Sequence, residues 1–237
     1  NKIGADMSGM DGGLLGSTGH CKRVRRYLRG SLNMSFNKYF NDIFCINLDR
    51  RPDRWEEVQK EFNKFNLTDV IRFPAVDGRT LPKPHALLDG ELGVLESNLK
   101  LVKYASENNL PNFLMLEDDV VFSEEVNNLD KYMSNIPDDW DMIYFGGNHT
   151  QSHPPKQINE TTLKLHYTVT THCIAIRSTV YDAIESILPK KSKPVDNYYT
   201  WVQQSSNVYC TNPSIAFQKG GFSDIRNRVV NYDGVLR

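Results

Sequence analysis

The chain has 237 residues and a mass of 27.2 kDa, room for one large domain or a medium domain with an appendage. At 39% hydrophobic and 24% charged residues it is neither wholly disordered nor fibrous, and no run approaches the roughly 18 apolar residues of a membrane span. A formal charge of −1 gives no reason to expect nucleic-acid binding, but the charge is uneven: residues 1–40 hold seven Lys/Arg against two Asp/Glu, and the remainder hold 21 against 27.

Residues 1–20 contain six glycines and little hydrophobic periodicity, the pattern of a loop. The segment 22–29 then places Lys22, Arg23, Arg25, Arg26 and Arg29 close together. It suits a solvated lead-in, or a contact with phosphate groups or a membrane surface. Near Asp42 the texture changes, so residues 1–40 are set apart as an N-terminal arm or linker from a domain at 41–237. IFCINL (43–48) predicts a buried strand. Pro52 opens an amphipathic helix in which Trp55, Val58, Phe62 and Phe65 recur at helical spacing. VIRFPAV predicts a second strand ending at the Asp77-Gly78 turn, and a second helix runs over about 91–106 with Leu92, Leu95, Leu99 and Val102 on its buried face. NFLMLEDDVVF predicts a third strand that enters an acidic cluster. A helix near 124–135, a strand over DMIYF and a polar loop at 148–160 follow. Strands near 163–169 and 172–177, helices near 179–188 and 196–205, and two short closing strands complete the domain. Such alternation predicts an α/β fold with a mostly parallel central sheet and helices on both faces. Cys21, Cys45, Cys173 and Cys210 are far apart with no CxxC pair, which argues against a zinc ribbon and favours buried free thiols, with a disulfide left open.

The chemistry concentrates at Phe113–Phe122. Glu117, Asp118 and Asp119 sit inside an otherwise apolar stretch, where three carboxylates repel one another and lose hydration unless something positive compensates them. In extended backbone Glu117 and Asp119 would share a face and Asp118 would point away. Two carboxylates at a strand's C-terminal edge suit Mn²⁺ or Mg²⁺; the alternative is a solvated turn. Arg50, Arg51 and Arg54 follow the first strand, where guanidinium groups meet a diphosphate well or simply decorate the surface. Asp77 suits either a ribose or base hydroxyl or a tight turn. Asp196 opens a helix as its cap or as a general base, and His172 reads as a hydrogen-bonded structural residue.

INLDRRPDRW, FPAVDG, GELGVLESNLKL, FLMLEDDVVF, THCIAI, KPVDNYYTWV and NPSIAFQKGGFSDI stand in an order that resembles glycosyltransferase family 25, over about residues 43–225. That family includes lipooligosaccharide and collagen galactosyltransferases. The resemblance implies a GT-A-type nucleotide-sugar-binding fold, a UDP-sugar donor, Mn²⁺ dependence and inversion at the anomeric carbon. The acceptor would be a glycan, a lipid-linked saccharide or a glycoprotein. Carried onto this chain, it makes Asp119 the primary metal ligand, with Glu117 and Asp224 beside it. Asp196 becomes the general base, and Asn47, Arg51, Arg54, Asp77, Ser97 and Asp118 fall on the donor side. One departure stands out: Asn98 occupies the place of the family's usual histidine, and Glu96 is inserted before Ser97. It keeps open an alternative, a non-catalytic nucleotide- or carbohydrate-binding module on the same fold.

Overall fold

Five of the six residues of IFCINL form β1 (Ile43–Asn47) in the computed structural model, which describes residues 36–82, 86–223, 225 and 228–230. Their β-branched and aromatic side chains tolerate cover on both faces, and four of the five positions are buried. Pro52 sits where its missing N–H costs nothing and begins α1 (Pro52–Lys64). β2 (Val70–Pro74) and, after α2 (Asp89–Glu107), β3 (Asn112–Glu117) flank β1 on either side, both parallel to it. The chain then turns at Asp118–Asp119 into β4 (Val120–Phe122). There follow α3 (Leu129–Met133), β5 (Met142–Tyr144), β6 (Asn148–His149), β7 (Lys156–Asn159), β8 (Thr162–Lys164), β9 (Thr168–Val169) and β10 (Cys173–Arg177). The last elements are α4 (Tyr181–Ile187), α5 (Val195–Ser205), β11 (Val208–Thr211), β12 (Ala216–Gln218), β13 (Gly221–Ser223) and β14 (Arg228–Val230).

Eight strands form the central sheet in the order β2-β1-β3-β10-β5-β11-β8-β7. β10 and β8 run against the other six, so the sheet is mixed at its pairings and mostly parallel in strand direction. Side chains that alternate along each strand divide the interior into two cores. Ile43, Cys45, Leu114 and Leu116 meet Val58 and Phe62 of α1 and Leu129 and Tyr132 of α3. Phe44, Phe113 and Met115 meet Leu95 and Val102 of α2, Ile184 of α4 and Val202 of α5. Helices therefore cover both faces, each fully buried Leu or Phe contributing about 1.5–3 kcal/mol.

Four details differ from the sequence-based expectation. NFLMLEDDVVF is two strands, because β4 leaves the main sheet to pair with β12. The stretch 148–160 holds β6 and β7, short strands with exposed or half-buried residues that lack an apolar signal. The helix near 124–135 is a 3-10 turn (Glu124–Asn128) followed by the short α3. The folded unit also reaches upstream of the boundary at 40–41: Phe36 and Phe40 are 2% and 3% exposed and pack against Phe122, Phe145 and Trp140. The basic segment 22–29 and Cys21 lie outside the described residues. Cys45, Cys173 and Cys210 are buried free thiols. No helix among the described residues is long and apolar enough to cross a membrane.

Candidate functional site

β1, β2 and β3 are parallel, so their C-terminal ends share one edge of the sheet, the edge where open α/β sheets place their ligands. Asn47, the segment after Pro74 and Glu117 all arrive there. The turn after β3 overturns the expected alternation of the acidic residues. Asp118 does not face away from Asp119: both carboxylates meet Nη2 of Arg54, on α1, at 2.9 Å. Glu117 is held separately, its Oε1 accepting from Thr171 Oγ1 at 2.5 Å and its Oε2 from Gln218 Nε2 at 3.3 Å. Burial, then the charge of Asp119, pushes Glu117 up to about 8; burial raises Asp118 to about 6, against the pull of Arg54. These directions record carboxylate charge that the guanidinium compensates only in part. Oδ1 of Asp119 is buried and has no hydrogen-bond partner.

Asn47 is the hub beneath this turn. Its amide nitrogen donates to Asp118 Oδ2 at 2.6 Å and to the Arg51 carbonyl at 3.1 Å, and its oxygen accepts from Arg72 Nε at 2.8 Å. At 1% exposure it is buried, and its amide holds Asp118 in place. Arg51 and Arg54 line a cleft of about 390 Å³ together with Asp118, Asp119, Lys219 and Gly221. Lys219 closes its far wall, donating its backbone N–H to the Asp119 carbonyl at 2.8 Å and pairing its ammonium with Glu57 of α1.

The remaining predicted residues sit around this centre. Asp77 accepts from Arg50 Nε at 3.0 Å and from Arg79 Nε at 2.9 Å, which holds its carboxyl well below the usual range. Ser97, expected on the donor side, is buried instead; its Oγ accepts from Val76 N–H at 2.8 Å and donates to the Gly93 carbonyl at 2.6 Å. A Cβ on Gly78 would lie 1.7 Å from the Asp89 carbonyl oxygen, and one on Gly93 2.7 Å from that of Val76. FPAVDG and GELGVLES are thus two halves of one close contact that sets the loop after β2 on α2. Asn98 is also internal: it accepts from Tyr199 OH at 2.9 Å and donates to the Val94 carbonyl at 2.9 Å. His172 meets the Ala216 carbonyl through Nε2 at 3.1 Å, and burial lowers its pKa, so it stays neutral.

Asp196 is the second residue of α5, whose N-cap is Pro194, so it is not the cap. Its Oδ1 accepts from the Asn197 N–H at 2.9 Å, and burial raises its carboxyl above the ordinary range. Asp196 and Asp77 are not among the residues lining the Arg54 cleft. Asp224 lies outside the described residues. Thr170, outside the motifs, bonds Asp196 through its backbone, and Thr171, which opens THCIAI but was given no role there, donates its hydroxyl to Glu117. A Thr-Thr pair carries no chemical signature of its own, and only the fold reveals its position.

Among the described residues no group of three or more His, Cys, Asp or Glu side chains is arranged to hold a metal ion. The donor chemistry nonetheless fits a hard divalent cation: Asp118 and Asp119 share Arg54, Glu117 precedes them at the end of β3, and Asp119 Oδ1 lacks a partner.

A family model described as glycosyltransferase family 25 (LPS biosynthesis protein) matches residues 40–196. A Glycosyltransferase 25 family member from Aedes aegypti is 29% identical over 185 residues, covering 66% of this chain and 30% of that protein. Procollagen galactosyltransferase 2 of Homo sapiens is 30% identical over 141 residues, covering 50% of this chain and 22% of its own length. The chain thus spans less than a third of either relative. A crystal structure of a glycosyltransferase involved in the glycosylation of the major capsid of PBCV-1 shares a TM-score of 0.38 at 9% identity, over 64% of this chain and 66% of that one, a likeness too low to carry an argument. The family match runs from Phe40 through the acidic turn to Asp196, about two thirds of the chain, and on that ground the chain belongs to glycosyltransferase family 25.

Proposed function

We propose that the chain is the catalytic part of a metal-dependent, inverting glycosyltransferase that moves a hexose, galactose or glucose, from a UDP-sugar to an acceptor hydroxyl on a glycan or glycoprotein. The observation that carries this reading is the acidic turn at the C-terminal end of β3, where Asp118 and Asp119 share the Arg54 guanidinium, Glu117 stands beside them in the chain, and Asp119 Oδ1 is left unpartnered. Asp119, with Glu117 and Asp118 beside it, would hold Mn²⁺ or Mg²⁺, whose chemistry when bound is to stabilise negative charge on phosphate oxygens. Arg51 and Arg54 reach the same cleft and would bind the diphosphate through charge-assisted hydrogen bonds.

The transfer is a single displacement. The acceptor oxygen forms its bond to the anomeric carbon as the bond from that carbon to the diphosphate oxygen breaks. The electron pair leaves with the diphosphate, and the proton of the acceptor hydroxyl passes to Asp196. Burial favours this role, since a carboxylate with a raised pKa is a stronger base. Attack from the face opposite the leaving group inverts the anomeric configuration. The non-catalytic alternative drew on Asn98, but that side chain is buried and fully engaged with Tyr199 and Val94, so its departure from histidine alters an internal contact between α2 and α5.

A panel of UDP-sugars in a thermal-shift assay, with and without Mn²⁺, tests the reading. A ligand at about a hundred times its Kd adds about 2.7 kcal/mol of stability. The expected result is stabilisation by UDP-galactose or UDP-glucose that needs Mn²⁺ and is lost in Asp119→Ala. Absence of any shift across the panel would sink the donor assignment.

A further inference from the structure

The segment 168–172 joins two parts of the site that no motif connects. At its start, Thr168 is gripped by Gln203 of α5: the Thr168 N–H donates to Gln203 Oε1 at 2.8 Å, and Gln203 Nε2 donates to the Thr168 carbonyl at 2.7 Å. Gln203 is 1% exposed and also reaches Tyr144 OH at 3.2 Å, so every polar atom of its side chain is engaged. Thr168 Oγ1 further meets His149 Nδ1 at 2.8 Å. At the other end, Thr171 Oγ1 donates to Glu117 Oε1 at 2.5 Å, and the Glu117 N–H donates to the His172 carbonyl at 3.0 Å.

Between these anchors Thr170 has φ of +82°, left-handed territory that a β-branched residue rarely enters. Its Oγ1 is buried and has no hydrogen-bond partner. Strain of this kind persists only where the surroundings over-determine the backbone. The link is therefore taut, and displacement of one anchor is felt at the other. Asp196 and Gln203 are seven residues apart on α5, which returns them to the same helix face. The face that carries Asp196 is thereby registered on the segment that Gln203 grips.

Resting on the function proposed above, we infer that Gln203 and Thr171 are positioning residues: through the strained Thr168–His172 segment they fix the face of α5 bearing Asp196 relative to the carboxylates at the end of β3. Neither touches the reacting atoms. They set the geometry in which a base and a donor-binding turn, carried by separate elements, act on one acceptor hydroxyl. Small misplacements at such a centre cost up to about a hundredfold in rate.

Thr171→Val keeps the shape and removes the donor to Glu117, while Thr171→Ser keeps the donor. In the whole chain, steady-state transfer from a UDP-sugar is measured beside amide hydrogen exchange at Thr168, whose N–H is bonded to Gln203. The expected result is a kcat at least about tenfold lower in the valine variant, with the KM for donor within about threefold of wild type. Exchange at Thr168 rises in that variant, and the serine variant recovers both readouts. Unchanged kcat in Thr171→Val, equal impairment of the two variants, or unchanged exchange at Thr168 each overturns the inference. Should the wild-type chain show no transfer at all, the proposed function fails, and the exchange at Thr168 still decides whether the linkage exists.

Discussion

The two flanks of the sheet's C-terminal edge solve different problems. On the α1 flank the material is charge: Asp118 and Asp119 share Arg54, and Asn47 spends its whole amide on keeping Asp118, Arg51 and Arg72 in register. On the α5 flank the material is neutral hydrogen bonds and backbone strain, from Gln203 through Thr170 to Thr171. Glu117 belongs to both, next to Asp118 in the chain yet held by Thr171 and Gln218. On the function proposed above, binding a charged donor and aiming a base place opposite demands on the fold. The first needs carboxylate oxygens, such as Asp119 Oδ1, that a cation can reach. The second needs a carboxylate kept away from cations so that its basicity survives.

The sharpest way to break the comparison is to exchange those demands by mutation. Asp119→Ala should remove transfer almost entirely, by about a thousandfold or more in kcat/KM, because a buried, unpartnered carboxylate oxygen on the charged flank goes with it. Asp196→Asn should lower kcat by about 10²–10⁴ while leaving the donor's KM nearly unchanged, the signature of a lost base. If instead that variant raises KM at constant kcat, Asp196 belongs to binding, and the two flanks are not functionally distinct.

Stability separates the flanks next. Arg54→Ala leaves two largely buried carboxylates without their shared partner and should cost about 3–5 kcal/mol in urea unfolding, the usual penalty for stranding one half of a buried ion pair. A near-neutral outcome would show that the turn relaxes into solvent once Arg54 is gone. An effect of comparable size is expected with pH. Glu117 has a pKa of about 8 in the folded protein, against an ordinary value near 4.5. Its folded form therefore binds the proton more tightly than its unfolded form. That contribution to stability is fully present below about pH 4.5 and is lost as pH rises through about 8. Urea midpoints measured from pH 5 to 8.5 should fall more steeply in the wild type than in Glu117→Gln; parallel slopes would remove Glu117 from the account.

Much of the fold was legible because each strand and helix carried its own periodicity. IFCINL, the 3- and 4-residue spacing of Trp55, Val58 and Phe62, and the leucines of α2 all appear where the pattern put them. The site was legible in part. The apolar runs on either side of Glu117–Asp119 marked where β3 ends, but not the orientation of the acidic residues, since the alternation argument assumes one continuous strand. A two-residue turn brings Asp118 and Asp119 onto the same guanidinium. Ser97 and Asn98 attracted notice as members of a motif, yet the motif reports the close approach of Gly78 and Gly93 between the loop after β2 and α2. Gln203 and Thr170 lie outside the motifs and Thr171 only opens THCIAI; their roles were not legible because they lie in partners 35 or more residues away, in a backbone angle, and in burial, none of which composition records.

Release of UDP from UDP-galactose and UDP-glucose, in the presence of glycan and hydroxylated-peptide acceptors and with either Mn²⁺ or a chelator, tests the central claim most directly when run on the wild type and on Asp119→Ala together. Acceptor-dependent UDP release is expected from the wild type with Mn²⁺, and only background release with chelator or in the variant. Equal release from both proteins, or release that persists undiminished in chelator, would contradict it.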